Sequence, residues 1–196
     1  MVATDRYSPN AFKRLMGTLN SVSFRDDMGE IEYFGQKVVM LRRDAFRLMK
    51  EELSKRQATG TANIILTIVG RRMGVEEGKA LVKEGEGQDW ETTRSVPEFI
   101  RIAMEESNMG YGKIQLKELE TSSDTVRVSV SNGFETEPPG RVTSPSCYFM
   151  LGYLEGIFSQ LLDKQLVATE EACGSVRGGA CLFKVVPGVP PSRWKL

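Results

Sequence analysis

Apolar and polar residues alternate most cleanly between Val126 and Val130, where three valines are separated by Arg127 and Ser129. A period of two sends successive side chains to opposite faces, so this segment predicts a half-buried β-strand. A partner strand is predicted over about 112–119, and Asn132-Gly133 closes the pair before a loop containing Pro138-Pro139-Gly140. Two short apolar runs, 31–34 and 37–41, flank Gly35-Gln36 and predict a β-hairpin. Residues 166–169 and 181–186 predict the last two strands, and the proline-rich stretch from Pro187 to Pro191 ends the fold.

A helical period appears elsewhere. Phe12, Leu15, Met16 and Leu19 fall at i, i+3, i+4 and i+7, one face of a short amphipathic helix. Asp44 suits the cap of a helix to about residue 55, with Ala45, Leu48, Met49 and Leu53 on one side. Helices are predicted over 61–73, burying Ile64, Ile65, Ile68 and Val69, and separately over 75–83. Ser95-Val-Pro-Glu98 has the form of a capping box, and the helix it starts would turn Phe99, Ile102 and Ala103 inward. Ser144 caps the best-defined helix, with Pro145 at its first position and Cys147 in its first turn. Leu151, Leu154, Ile157, Phe158, Leu161 and Leu162 give that helix a wide apolar face, and Gly152 and Gly156 predict close packing against the sheet. Strands that pair with sequence neighbours, mixed with helices, predict an α+β fold in which an antiparallel sheet packs on a helical layer. Residues 1–30 read as an extension with a dimerisation helix, 31–187 as one domain and 188–196 as a tail.

Composition narrows the function. The 196 residues are 40% hydrophobic and 27% charged, which suits a soluble globular chain. Basic and acidic side chains each number 26, so the basic excess expected of a nucleic-acid binder is missing. The longest apolar stretch, around 62–70, falls well short of the roughly 20 residues that cross a bilayer. Residues 1–25 lack the apolar core of a secretory signal, so a cytoplasmic location is expected.

Three cysteines and no histidine restrict the chemistry further. The missing imidazole removes serine–histidine and cysteine–histidine catalysis together with the commonest metal ligand. Cys147, Glu170, Cys173 and Cys181 supply three thiolates and a carboxylate, enough to fill a tetrahedral zinc site. Cys147 at a helix start should lose its proton readily, which would aid binding. Three separate core cysteines would fit the spacing equally well, and Glu171 competes with Glu170 as ligand. Cys147 as a nucleophile is disfavoured, because no histidine can serve as its base.

Cys147-Tyr-Phe-Met-Leu-Gly-Tyr-Leu-Glu-Gly-Ile-Phe-Ser, Leu161-Leu162-Asp-Lys, Glu170-x-x-Cys173 and Gly178-x-x-Cys181-x-Phe183 together resemble the 4-vinyl reductase domain. The match is strongest over 146–186. That family shares its fold with small subunits of the TRAPP vesicle-tethering complex and includes sensor domains of activators that respond to aromatics. The resemblance implies a structural zinc ion on Cys147, Glu170, Cys173 and Cys181. It also implies a homodimer, and a pocket for a small hydrophobic or aromatic ligand between helices and sheet. Trp90, Phe99 and Tyr111 are its candidate pocket aromatics, although plain core or surface packing is the commoner role for such residues. The phenol sensors bind the phenolic hydroxyl through a histidine that this chain lacks, which sets phenol itself in doubt. The leading expectation is a non-catalytic sensor module that signals through a separate protein. A TRAPP-like scaffold and a tetrapyrrole vinyl reductase are the alternatives; no Gly-x-Gly-x-x-Gly fingerprint supports the latter.

Overall fold

A computed structural model describes residues 22–33, 36–56, 59–85, 100, 101, 104, 110–120 and 122–189. The expected helix from Phe12 to Leu19, and the pocket candidates Trp90 and Phe99, lie outside these residues.

The predicted hairpin is part of a three-stranded antiparallel meander, β1 (Val22–Arg25), β2 (Glu30–Tyr33) and β3 (Gln36–Val38), in that order. The first strand falls inside the segment read as an extension. Its apolar pair, Val22 and Phe24, sits opposite Tyr33 and Ile31, and Gly29 at φ +64° allows the turn between β1 and β2. Residues 39–41 lie beyond β3 and are exposed, so the second apolar run ends as a strand at Val38.

Helix α1 (Arg43–Arg56) forms where predicted, with Asp44 inside its first turn, where a carboxylate favours the positive helix end. Leu48 and Met49 are exposed on it. The two helices expected over 61–73 and 75–83 are instead one, α2 (Thr59–Gly85). Ile65 and Val69, predicted inward, are exposed on α2, while Ala62, Leu66 and Gly70 take the buried side. Gly74, where the sequence suggests a break, is an internal position whose missing side chain serves a close contact. Gly70, Gly74 and Gly78 recur every fourth residue and form one stripe along α2. That stripe meets helix α3 (Tyr148–Leu161). A Cβ on Gly70 would lie 2.1 Å from the Phe149 carbonyl oxygen, and one on Gly74 would lie 2.2 Å from that of Tyr153. The reverse holds from α3, where Cβ atoms on Gly152 and Gly156 would meet the carbonyl oxygens of Thr67 and Arg71 at 2.0 and 2.2 Å. Gly152 and Gly156 therefore pack against a helix, not against the sheet as predicted. Both contact series rise together in sequence, so the two helices run side by side in one direction.

Four further strands, β4 (Lys113–Glu120), β5 (Thr125–Ser131), β6 (Leu166–Ala172) and β7 (Cys181–Pro187), form an antiparallel sheet in the order β4-β5-β7-β6. A short helix, α4 (Gly174–Arg177), joins β6 to β7. The pleat puts Val126 opposite Val185, Val128 opposite Phe183 and Val130 opposite Cys181, all facing inward. Met150, Leu154, Ile157 and Phe158 of α3 join these residues in one core, so α3 lies between the sheet and α2. Burial of each large side chain contributes about 1.5–3 kcal/mol before the cost of ordering it. Ile100 and Met104 are helical, one turn apart and buried in the same core; Ile102 and Ala103 lie outside the described residues.

One ion pair ties the layers together. The Glu155 carboxylate is wholly buried, accepts the Ala168 N–H at 2.9 Å and lies 3.2 Å from Arg71, which also donates to the Leu166 carbonyl. This joins α2, α3 and β6 at one point. Among the described residues, no helix is long and apolar enough to cross a membrane.

Candidate functional site

Strand β6 places the first acidic ligand. Leu166, Ala168 and Glu170 share its inward row, and Glu170 sits opposite Phe183. Glu170 is 8% exposed, whereas Glu171 points outward and lies 3.8 Å from Arg127. Strand periodicity thus decides between the two glutamates. The sequence puts Glu170 in the turn after β6, but the strand continues to Ala172 with a register shift between Glu170 and Ala172. That bulge brings Cys173 round to begin α4.

The turn then returns to β7. Gly178 and Gly179 have φ of +79° and +81°, a backbone shape that glycine adopts without strain. A Cβ on Gly174 would lie 2.5 Å from the Gly179 carbonyl oxygen, so this turn closes only without a side chain there. Cys181 follows at the start of β7, and the Gly174 N–H donates to its sulfur at 3.3 Å.

Cys147 completes the group from α3. It occupies the cap position of that helix without a side-chain capping bond, and its own N–H donates to Glu170 Oε2 at 3.0 Å. The cap predicted at Ser144 is supplied instead by Glu135, in the loop after β5. Its two oxygens accept the N–H groups of Phe149 and Met150 at 3.0 and 2.7 Å. Sequence patterns place capping residues next to the helix, so a carboxylate 14 positions away from Phe149 leaves no local signal. Burial pushes the Glu135 carboxyl up to about 7, against the pull of those two N–H groups and of Lys50. Lys50 also donates to the Ser146 carbonyl at 2.8 Å, which ties α1 to this loop.

The four predicted ligands therefore come together. One donor atom from each of Cys147, Glu170, Cys173 and Cys181 lies within 4.8 Å of all the others. The sulfurs of Cys147 and Cys181 are 3.5 Å apart, and all three cysteines are free and buried. Tetrahedral metal–sulfur bonds of about 2.3 Å would set sulfurs about 3.8 Å apart, so the spacing suits ligands of one ion. Glu170 Oε1 supplies an independent sign. It is buried and has no hydrogen-bond partner among the described residues, a state that costs about 1–3 kcal/mol or more unless a cation meets it. The residues present fit a metal ion.

Proton affinity at the site differs from the expectation for a helix start. The Cys181 sulfur beside it, burial, and the carboxylates of Glu170 and Glu135 raise the Cys147 thiol. Cys181 moves the other way, lowered first by its bond with Cys147 and then by the Gly174 N–H. The positive end of α3 fails to acidify Cys147 because Glu135 and Glu170 already occupy its N–H groups.

Tyr111, the described pocket candidate, belongs to a neighbouring aromatic cluster. Its ring lies 4.9 Å from Tyr153, 5.5 Å from Phe134 and 5.6 Å from Phe149, and Phe46 of α1 meets Phe134 at 4.5 Å. Tilted and edge-to-face pairs of this kind add about 0.5–1.5 kcal/mol each beyond burial. A cavity of about 10 Å³, room for one water, separates Tyr111 and Phe134 from Cys147 and Cys181.

Comparisons place the chain among known proteins. The phenol-responsive sensory domain of the transcription activator PoxR, solved with phenol, superposes with a TM-score of 0.73 at 16% identity, over 92% of each chain. A trafficking protein particle complex subunit 3 from Naegleria fowleri, covalently bound to palmitic acid, gives 0.48 at 8% identity over 75% of this chain and 95% of the other. A vinyl-4-reductase family protein from Methanocaldococcus jannaschii gives 0.48 at 14% identity over 96% and 100%. No curated protein sequence matches. Residues 126–187 match the 4-vinyl reductase domain, and residues 19–120 match a second family, described as activator of aromatic catabolism. The second match spans just over half of the chain, which therefore belongs to that family of activators of aromatic catabolism.

Proposed function

We propose that this chain is a ligand-binding sensor module for a small aromatic molecule, held in shape by a structural zinc ion on Cys147, Glu170, Cys173 and Cys181. The family match over residues 19–120 carries the ligand part of the reading. The aromatic cluster around Tyr111 and Tyr153 supports it, because rings presented edge and face recognise another ring. Three thiolates and one carboxylate in a closed tetrahedron favour zinc over harder cations such as magnesium or calcium. Four protein donors leave no position for water, so the ion would brace the fold and would not activate a hydroxide.

The brace has a clear route to the rest of the molecule. The zinc ligands span the start of α3, the end of β6 and the start of β7, and α3 carries both the aromatic cluster and the glycine contact with α2. Signalling through a second protein, and self-association, belong to the same reading; light scattering on the intact chain separates monomer from dimer. Isothermal titration with phenol, aniline and toluene tests the sensor function. Saturable binding of at least one of them is expected. Failure of all three to bind the metal-loaded protein would contradict it.

A further inference from the structure

The aromatic cluster contains a polar feature that packing alone does not explain. Tyr153 is fully buried in α3, and its hydroxyl has no hydrogen-bond partner among the described residues. Buried hydroxyls in folded proteins are nearly always bonded, so an orphan of this kind marks a place where a polar atom is supplied from elsewhere. The surroundings are unusual for a core. Tyr33 of β2 is 4% exposed and Glu77 of α2 is 7% exposed, and the Tyr111 ring lies 4.9 Å from that of Tyr153. Four separate segments thus bring three phenols and a carboxylate into one interior region. Burial and the Glu77 carboxylate both raise the Tyr153 and Tyr111 hydroxyls, which keeps them protonated and able to donate.

We infer that Tyr153, with Glu77 and Tyr111 beside it, is the polar anchor of the ligand site and selects aromatic rings that carry a hydroxyl or amino group. The inference rests on the sensor reading above and specifies its ligand class. A hydroxyl or amino group can donate to the carboxylate or to the Tyr153 oxygen, and the oxygen of a hydroxyl can accept from Tyr153 in return. A methyl group fills the same space and does neither. A site built around buried polar atoms rejects the analogue that leaves them unpaired.

Phenol, aniline and toluene are nearly equal in size and differ in this one property, so their relative affinities test the inference. The intact protein is expected to bind phenol or aniline at least about tenfold more tightly than toluene, the size of one good hydrogen bond. Tyr153→Phe should cut that ratio to about threefold or less. It should not lower the melting temperature of the ligand-free protein, because it removes an unbonded hydroxyl. Glu77→Gln, which keeps the shape of the side chain, should cut the ratio as well and serves as the second variant. A ratio unchanged in both variants, or toluene bound as tightly as phenol and aniline by the parent protein, would overturn the inference while leaving the sensor reading intact. No binding of any of the three would end both.

Discussion

Serine in place of Cys173 is expected to lower stability by about 5 kcal/mol or more, with the melting temperature falling by roughly 10 °C or more. The argument starts from what the side chain holds. Cys173 ends the β6 bulge and begins α4, so its sulfur fixes the turn that delivers Cys181. With one donor gone, the remaining thiols and Glu170 stay buried together without their shared cation. Binding free energies for structural zinc reach about 10–16 kcal/mol in small domains, and that energy is folding energy here too. Calorimetric melting of the parent, the variant and a chelator-treated parent measures the effect. The chelator should lower the parent towards the variant and leave the variant nearly unmoved. The Cys173→Ser and Cys181→Ser changes should also be strongly non-additive, since either one dismantles the same site. Three ordinary core cysteines would give small, additive losses and no response to chelator.

The second large effect is expected at Gly152. Alanine there places a Cβ 2.0 Å from the Thr67 carbonyl oxygen and 2.9 Å from the Arg71 nitrogen, both backbone atoms that cannot swing aside. The two helices must part or slide, and overpacking of a rigid contact costs about 3 kcal/mol or more. Separation would also lengthen the contact between Arg71 and Glu155. Gly60, near the start of α2, is the matched control. A Cβ there meets nothing within 4 Å, so Gly60→Ala should be neutral or stabilise by up to about 1 kcal/mol through helix propensity. Chemical denaturation of the two variants decides the matter: equal small effects would mean that the helices do not rely on this glycine contact.

What could be read from sequence follows from the range of the forces involved. Strict alternation locates β5 because each valine answers to a local pleat, and the Cys147–Cys181 pattern stands out because metal ligands need few residue types. Long-range geometry leaves weaker traces. Gly70, Gly74 and Gly78 are spaced four apart, yet their meaning depends on a second helix with its own Gly152 and Gly156. Read alone, Gly74 looks like the end of a helix. Glu135 lies far from α3 in sequence, and only the folded loop, tied by the Glu137 N–H to Ser175 Oγ and the Gly140 N–H to the Ser175 carbonyl, carries it to the helix start. The proton affinity of Cys147 follows the same logic. A helix start acidifies a thiol only where its N–H groups are free, and here two carboxylates have taken them.

The preference between Glu170 and Glu171 shows the opposite case. Counting along β6 from Leu166 assigns even positions inward, which names Glu170 once the strand is extended that far. The tyrosine cluster offers no such handle, because Tyr33, Glu77, Tyr111 and Tyr153 share no spacing and meet only through the packing of four segments.

The most direct test is zinc analysis of untagged protein combined with X-ray absorption at the metal edge. One zinc per chain is predicted, with three sulfur neighbours at about 2.3 Å and one oxygen at about 2.0–2.2 Å. Protein that folds and melts cooperatively with no bound metal, or zinc surrounded by nitrogen and oxygen alone, would contradict the account.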